Sequence, residues 1–245
     1  MGAGPMRHRL TFGALLAAAF LLPSPGRADG LAQVRIYTDD DPPYVMVGPD
    51  GQVMGGTTVE KVTRVMRRLG LPFGVMQAAP WARAYQEAKT RPYAMVFPIA
   101  RTRERQKYLD FTFKILDADV YFYRLAARSD IQPHTLDEAR RYRVCVVLND
   151  YRHEYLQGEG FTRLELSPDS TLNVKKLAAG RCDLLPSTEP GIAGKLKALG
   201  LERTLVARGI RLDMLDSGLY AAFNKDTPPD VIARVKAAAA AVEVP

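Results

Sequence analysis

Few side chains in this 245-residue chain carry reactive chemistry. Of its three histidines, His8 lies near the N-terminus, His134 in a loop-like stretch and His153 in a polar helical one. No G-x-S-x-G, H-E-x-x-H or Walker pattern occurs, so a nucleophile elbow, a zincin site and a phosphate loop have no sequence basis. Cys145 and Cys182 are the two cysteines. They match no zinc spacing, and they fit either a disulfide or two small buried thiols. No cofactor or metal is expected. What remains is charge: 34 Lys+Arg against 27 Asp+Glu, a formal +7. A planar guanidinium offers paired donors to a carboxylate, so single arginines matter more than the total.

Part of that charge belongs to a segment with another purpose. Arg7, His8 and Arg9 precede an uncharged apolar run, Leu10 to Leu22, of 13 residues. Such a run is short of the ~20 residues a membrane helix needs. Pro23, Pro25 and Gly26-Arg27-Ala28 follow, which is the layout of a cleaved secretory signal over residues 1–28. Its removal takes three arginines and no acid, leaving 31 basic and 27 acidic residues over 217 positions. An exported, periplasmic protein is expected. The remaining basic residues are scattered, and none forms a run interleaved with aromatics, so a nucleic-acid groove is not expected.

The chain after the signal alternates strand and helix. Ala32–Tyr37 reads as a strand, and the turn Gly48-Pro49-Asp50-Gly51 joins a hairpin. Thr57 with Glu60 predicts a capping box for a helix that stops at Gly70. Leu71–Gln77 and Tyr93–Ile99 read as strands around a helix over Trp81–Lys89, and Arg103–Leu109 as a short polar helix. Two extended stretches, Asp117–Ala127 and Gly218–Phe223, break the rhythm. Between them a second series runs: a Thr135/Glu138 capping box, strands at Arg143–Leu148, Thr162–Leu166, Asp183–Pro186 and Leu205–Ala207, and helices at Tyr151–Gln157, Thr171–Ala179 and Pro190–Leu199. A last helix begins at Thr227-Pro228-Pro229-Asp230. Two α/β lobes are predicted, each with a mostly parallel sheet flanked by helices, joined by two crossing strands. The expected division is lobe 1 over 29–118 and 218–245, and lobe 2 over 119–217. Ligands on such sheets sit beyond the C-terminal strand ends.

Asp41-Pro42-Pro43-Tyr44, Asp50-Gly51, Pro80-Trp81-Ala82-Arg83-Ala84-Tyr85, Arg101-Thr102-Arg103-Glu104-Arg105 before Asp110-Phe111-Thr112, and Gly180-Arg181-Cys182-Asp183 together carry a resemblance. In order and spacing, from about Val34 to Val235, they resemble the type II periplasmic solute-binding proteins of bacterial solute-binding family 3, which includes amino-acid receptors of ABC transporters. The resemblance implies two α/β lobes closing on a small solute. It implies that Arg105 grips a solute carboxylate and that Tyr44 and Trp81 form aromatic walls; Arg83, two residues after Trp81, either reaches the same cleft or lies on the surface. From the second lobe it implies a helix N-terminus at Asn149-Asp150-Tyr151-Arg152, with Asp150 as cap and Arg152 compensating its charge towards an anion.

Two positions depart from the amino-acid-binding pattern. Ala100 stands where a Ser or Thr is usual. The second-lobe acid that holds an α-ammonium falls on Thr188, leaving Glu189 beside it, or Asp40 or Asp41 of the first lobe, to substitute. The family usually carries a further C-terminal helix after the Ala-rich segment that ends here at Val244-Pro245. The expected function is that of a monomeric binding protein, not an enzyme, delivering a small polar, carboxylate-bearing solute (amino-acid-like or an organic acid) to an inner-membrane ABC-type permease or a sensor. The alternative on the same scaffold is a cyclohexadienyl-dehydratase-like lyase, with Glu189 as its acid/base.

Overall fold

The computed structural model describes residues 1–2, 30–72, 76–213 and 216–243. The expected signal, apart from its first two residues, and part of the Leu71–Gln77 strand lie outside them.

The first lobe is built on β1 (Arg35–Thr38), β4 (Met76–Ala78) and β5 (Ala94–Ala100), all parallel. The small hairpin β2 (Met46–Val47) and β3 (Val53–Gly55) sits outside this sheet. β6 (Leu109–Asp117) and β12 (Gly218–Asn224) complete it in the order β4-β1-β5-β12-β6. Helices α1 (Thr57–Arg68), α2 (Trp81–Thr90) and α7 (Pro229–Glu243) cover it. Its core includes Ile36, Val62, Met95, Phe97, Phe223 and Val235, each essentially inaccessible. All seven residues of β5 and all seven of β12 are buried, which explains the apolar runs Ala94–Ala100 and Leu219–Phe223.

The second lobe holds β7 (Val120–Leu125), β8 (Val144–Val147), β9 (Leu164–Ser167), β10 (Leu185–Ser187) and β11 (Val206–Leu212). Its helices are α3 (Leu136–Ala139), α4 (Tyr151–Gly158), α5 (Ser170–Ala178) and α6 (Glu189–Ala198). β8 pairs parallel with β9, and a parallel bridge links Val144 to Leu184 just before β10. β7 runs antiparallel to both β10 and β11. In each lobe one strand opposes the rest: β12 lies antiparallel between β5 and β6, and β7 between β10 and β11. These are the strands that enter directly from the other lobe, so they meet their sheet from the opposite end. They are the two stretches that broke the sequence rhythm.

Cys145 on β8 and Cys182 form a disulfide, resolving the two readings of that pair. Three local expectations need correction. Thr57 is not a cap: it is the first residue of α1, and the N-cap is Gly56, which offers no side-chain cap. The carbonyls of Pro43 and Tyr44 accept the N–H groups of Thr57 and Thr58, so the helix start is satisfied by a neighbouring loop. The Arg103–Leu109 stretch makes only a 3-10 turn, Arg105–Lys107, before β6. β11 extends to Leu212 through a register shift between Arg208 and Arg211. Thr135 does cap α3, accepting from Glu138 N, but the Glu138 side chain accepts from the N–H of His134, one residue before the cap, so the box is shifted at its second bond.

Candidate functional site

Apart from Leu219 at the start of β12, the segments around the central cavity lie at or just beyond the C-terminal ends of strands. The loop Asp39–Tyr44 follows β1, Trp81 opens α2 after β4, and Ala100 ends β5 ahead of the Arg105 turn. From the other lobe, Asn149–Arg152 follows β8, Ser170 opens α5 after β9, and Thr188 follows β10. Asp39, Asp41, Tyr44, Trp81, Ala100, Arg105, Asp150, Arg152, Ser170 and Thr188 all line this cavity, with Pro98, Val147, Tyr151 and Leu219. Its volume is about 30 Å³, room for a water or two.

Arg105 is the largest fully buried side chain among the described residues. Its guanidinium lies 5.3 Å from the ring centroid of Trp81 and 5.1 Å from that of Tyr85, in cation–π range. Nη1 donates to the Ala100 carbonyl at 3.3 Å, and Nη2 to the Asn149 carbonyl at 3.2 Å and Glu154 Oε1 at 3.3 Å. Nε is buried with no partner. Asn149 has φ 60°, a left-handed conformation that asparagine tolerates. Its carbonyl also accepts from Trp81 Nε1 at 2.8 Å, so one backbone oxygen of lobe 2 meets two lobe 1 side chains.

Asp150 caps α4, accepting from Arg152 N at 2.7 Å, and holds the Arg152 side chain at Nε (2.7 Å) and Nη2 (2.9 Å). Burial works against the charge of Arg152, but Asp150, Tyr151 and Asp41 together outweigh it and raise the guanidinium pKa. Thr188 caps α6 through Gly191 N at 3.0 Å, and its hydroxyl bonds the Tyr44 hydroxyl across the cleft. Burial pushes the Tyr44 hydroxyl pKa up.

Two expected residues lie elsewhere. The buried face of α2 is Trp81, Ala84, Tyr85 and Ala88, a helical stripe that leaves Arg83 on the exposed side. Glu189 turns away from the cavity to pair with Arg203 at 2.8 Å and accept from Tyr123 Oη at 2.7 Å. The Arg203 hydrogen bond lowers its pKa, the opposite of what a neutral-pH acid needs.

Beyond the Asn149–Arg152 segment, residues with no sequence signal stand in or beside the cavity wall: Pro98, Val147, Ser170 and Leu219 line it, and Glu154 binds Arg105. Asp39 lines the cavity, and burial, then Asp41 and Asp150, raise its pKa well above the usual carboxylate range. Lys195 of α6 is 3% exposed and meets Asp41 at 2.6 Å. Burial alone would raise the Asp41 pKa, but Lys195 and Arg152 lower it. Asp41 was read as one alternative ammonium holder; it is engaged by this lysine. Among the described residues no group of three or more His, Cys, Asp or Glu is placed to hold a metal ion, and no helix is long and apolar enough to cross a membrane.

The family model of bacterial extracellular solute-binding proteins, family 3, matches residues 34–243. The chain belongs to this family. Among solved structures, the solute-binding fold is shared with a histidine kinase sensor domain similar to periplasmic binding proteins (TM-score 0.71, 20% identity, 86% of this chain and 90% of that one). An ancestral arginine-binding protein bound to arginine matches with TM-score 0.70 at 14% identity, over 85% and 91% of the chains. Holo ArgBP from T. maritima matches at 0.68 and 17%, over 85% and 90%. No curated protein matches the sequence. At these identities the likeness is one of fold, and it shows the two-lobed type II architecture.

Proposed function

We propose that this solute-binding protein captures a small polar solute bearing a carboxylate in the cleft between its lobes, which must part beyond the present cavity of about 30 Å³ to take it, and presents the loaded form to an ABC-type permease or a sensor outside the inner membrane. Residues 29–118 with 218–245 serve as one lobe and 119–217 as the other. The observation that carries the reading is Arg105: a wholly buried guanidinium at the cavity wall, stacked on two aromatic rings, with an unpartnered Nε. A buried N–H without an acceptor costs about 1–3 kcal/mol, which a solute carboxylate placed there recovers. Asp39 supplies the complementary requirement. It faces Asp41 and Asp150, and a cationic group on the solute relieves that repulsion. Tyr44 and Thr188, Asp150 and Arg152, and Ala100 complete the walls, whereas Arg83 and Glu189 have no part in them.

Thermal denaturation of the purified protein against L-amino acids and small organic acids tests this. At a concentration about 1,000 times Kd, a solute that binds only the folded state adds about 4 kcal/mol of stability. At least one solute with both a carboxylate and a cationic group should raise the melting temperature. A flat response to both sets contradicts the proposal.

A further inference from the structure

The contact between α6 and the Asp41–Tyr44 loop is made by the chain alone, and we infer that it is a latch: closure of the lobes draws part of its free energy from direct docking of α6 on this loop, not from solute alone. The Lys195 Nζ lies 2.6 Å from Asp41 Oδ1 and donates to the carbonyls of Pro42 at 3.0 Å and Gly191 at 3.4 Å. Asp41 Oδ1 also accepts from Ser170 Oγ at 2.8 Å, so the first residue of α5 holds the same carboxylate. The ion pair by itself is a weak argument, because opening the lobes returns both partners to water.

Steric fit supplies the independent observation. A Cβ on Gly194 would stand 2.6 Å from Pro43 Cδ and 3.0 Å from Pro43 N. A proline ring and backbone cannot swing aside, so α6 presents bare backbone where the loop presses on it. Gly191, one turn earlier, is different: a Cβ there would crowd Thr188 Oγ1 at 2.7 Å and Ser187 Oγ at 3.2 Å in its own lobe and meet Tyr44 Cε2 only at 3.5 Å, an ordinary contact, so Gly194 alone carries the steric case. Lys195 and Gly194 are not part of the cavity lining. The latch acts on the closed population; its partners Asp41 and Ser170 also line the cavity, so Gly194→Ala, which removes no polar partner from that wall, is the cleaner probe of it. Its relevance to capture rests on the cleft being the solute site; its existence does not.

The test uses protein freed of small molecules by unfolding in guanidinium, dialysis and refolding, with small-angle scattering and a label pair at the exposed Arg67 and Lys175 reporting lobe separation. Stripped wild type should be mostly closed. Gly194→Ala, which favours the helix intrinsically, should shift the closed population from a majority to a minority, and Lys195→Met should do the same with unchanged circular dichroism. Stripped wild type as open as the variants, or Gly194→Ala as closed as wild type, overturns the latch. A closed wild type that binds none of the solutes tried keeps the latch and sinks solute capture. An open wild type that closes on adding solute does the reverse.

Discussion

Asp39, with its carboxylate buried beside Asp41 and Asp150, and Arg105, with its unpartnered Nε, each yield an expectation. Because the Asp39 pKa is raised, the folded state keeps a proton that the unfolded chain releases above its ordinary value of 3.8. Stability contributed by this group is therefore present at low pH and falls as pH rises through the window from 3.8 up to the folded value. Asp39→Asn should abolish that fall: its melting temperature relative to wild type should increase from about pH 4 upward. A constant difference across pH would show that Asp39 is not the group responsible. Asp41 has the opposite sign, adding stability above 3.8 that is lost as pH falls. For Arg105, Arg105→Lys keeps the charge but loses the fork, and should weaken binding of a carboxylate solute by about 10²-fold, roughly 3 kcal/mol. Titration calorimetry checks this, and an unchanged Kd would remove Arg105 from the site. At this scale the sequence was partly legible. Arg105, Trp81 and Tyr44 stood out through their motifs, and the Asp150 cap through its type before a helix. Lys195 and Glu154 could not be read, because their partners lie 154 and 49 positions away and no local pattern encodes a contact between lobes.

Elements were most readable where their signals were local. Gly70, Gly180 and Gly200 all take positive φ beyond a helix end, and the antiparallel strands β7 and β12 were visible as apolar stretches out of rhythm. The Thr57–Glu60 spacing misled because the caps for α1 come from Pro43 and Tyr44, outside the helix. β6 was missed because its pattern of buried and half-buried residues suits neither a strict alternation nor a continuous apolar run. The junction at Gly56 gives a direct test. Its φ is 133°, and a Cβ would stand 2.2 Å from the Tyr44 carbonyl oxygen. Gly56→Ala should destabilise by more than the ~1–3 kcal/mol of backbone strain alone, since the loop carrying Tyr44 must also shift. Urea denaturation measures it, and a loss below about 1 kcal/mol would show that the loop adapts freely.

On the scale of the molecule, the alternation of strand and helix predicted two lobes, and the sheets bear out that architecture. The pairing of β1 with β4 and β5, and of β8 with β9, brings the candidate groups to facing strand ends. The disulfide ties β8 to the segment before β10 across a separation of 37 residues, and such a loop is worth about 4 kcal/mol in the chain-entropy picture. Replacing both cysteines with alanine should lower unfolding stability by roughly that amount. The central claim is that the cleft holds a small solute anchored by Arg105. Native mass spectrometry of the protein as isolated tests it most directly. Wild type should carry a small molecule of one defined mass, and Arg105→Gln should lose it. A wild type that retains nothing, or a variant that retains the same mass equally, would contradict the claim.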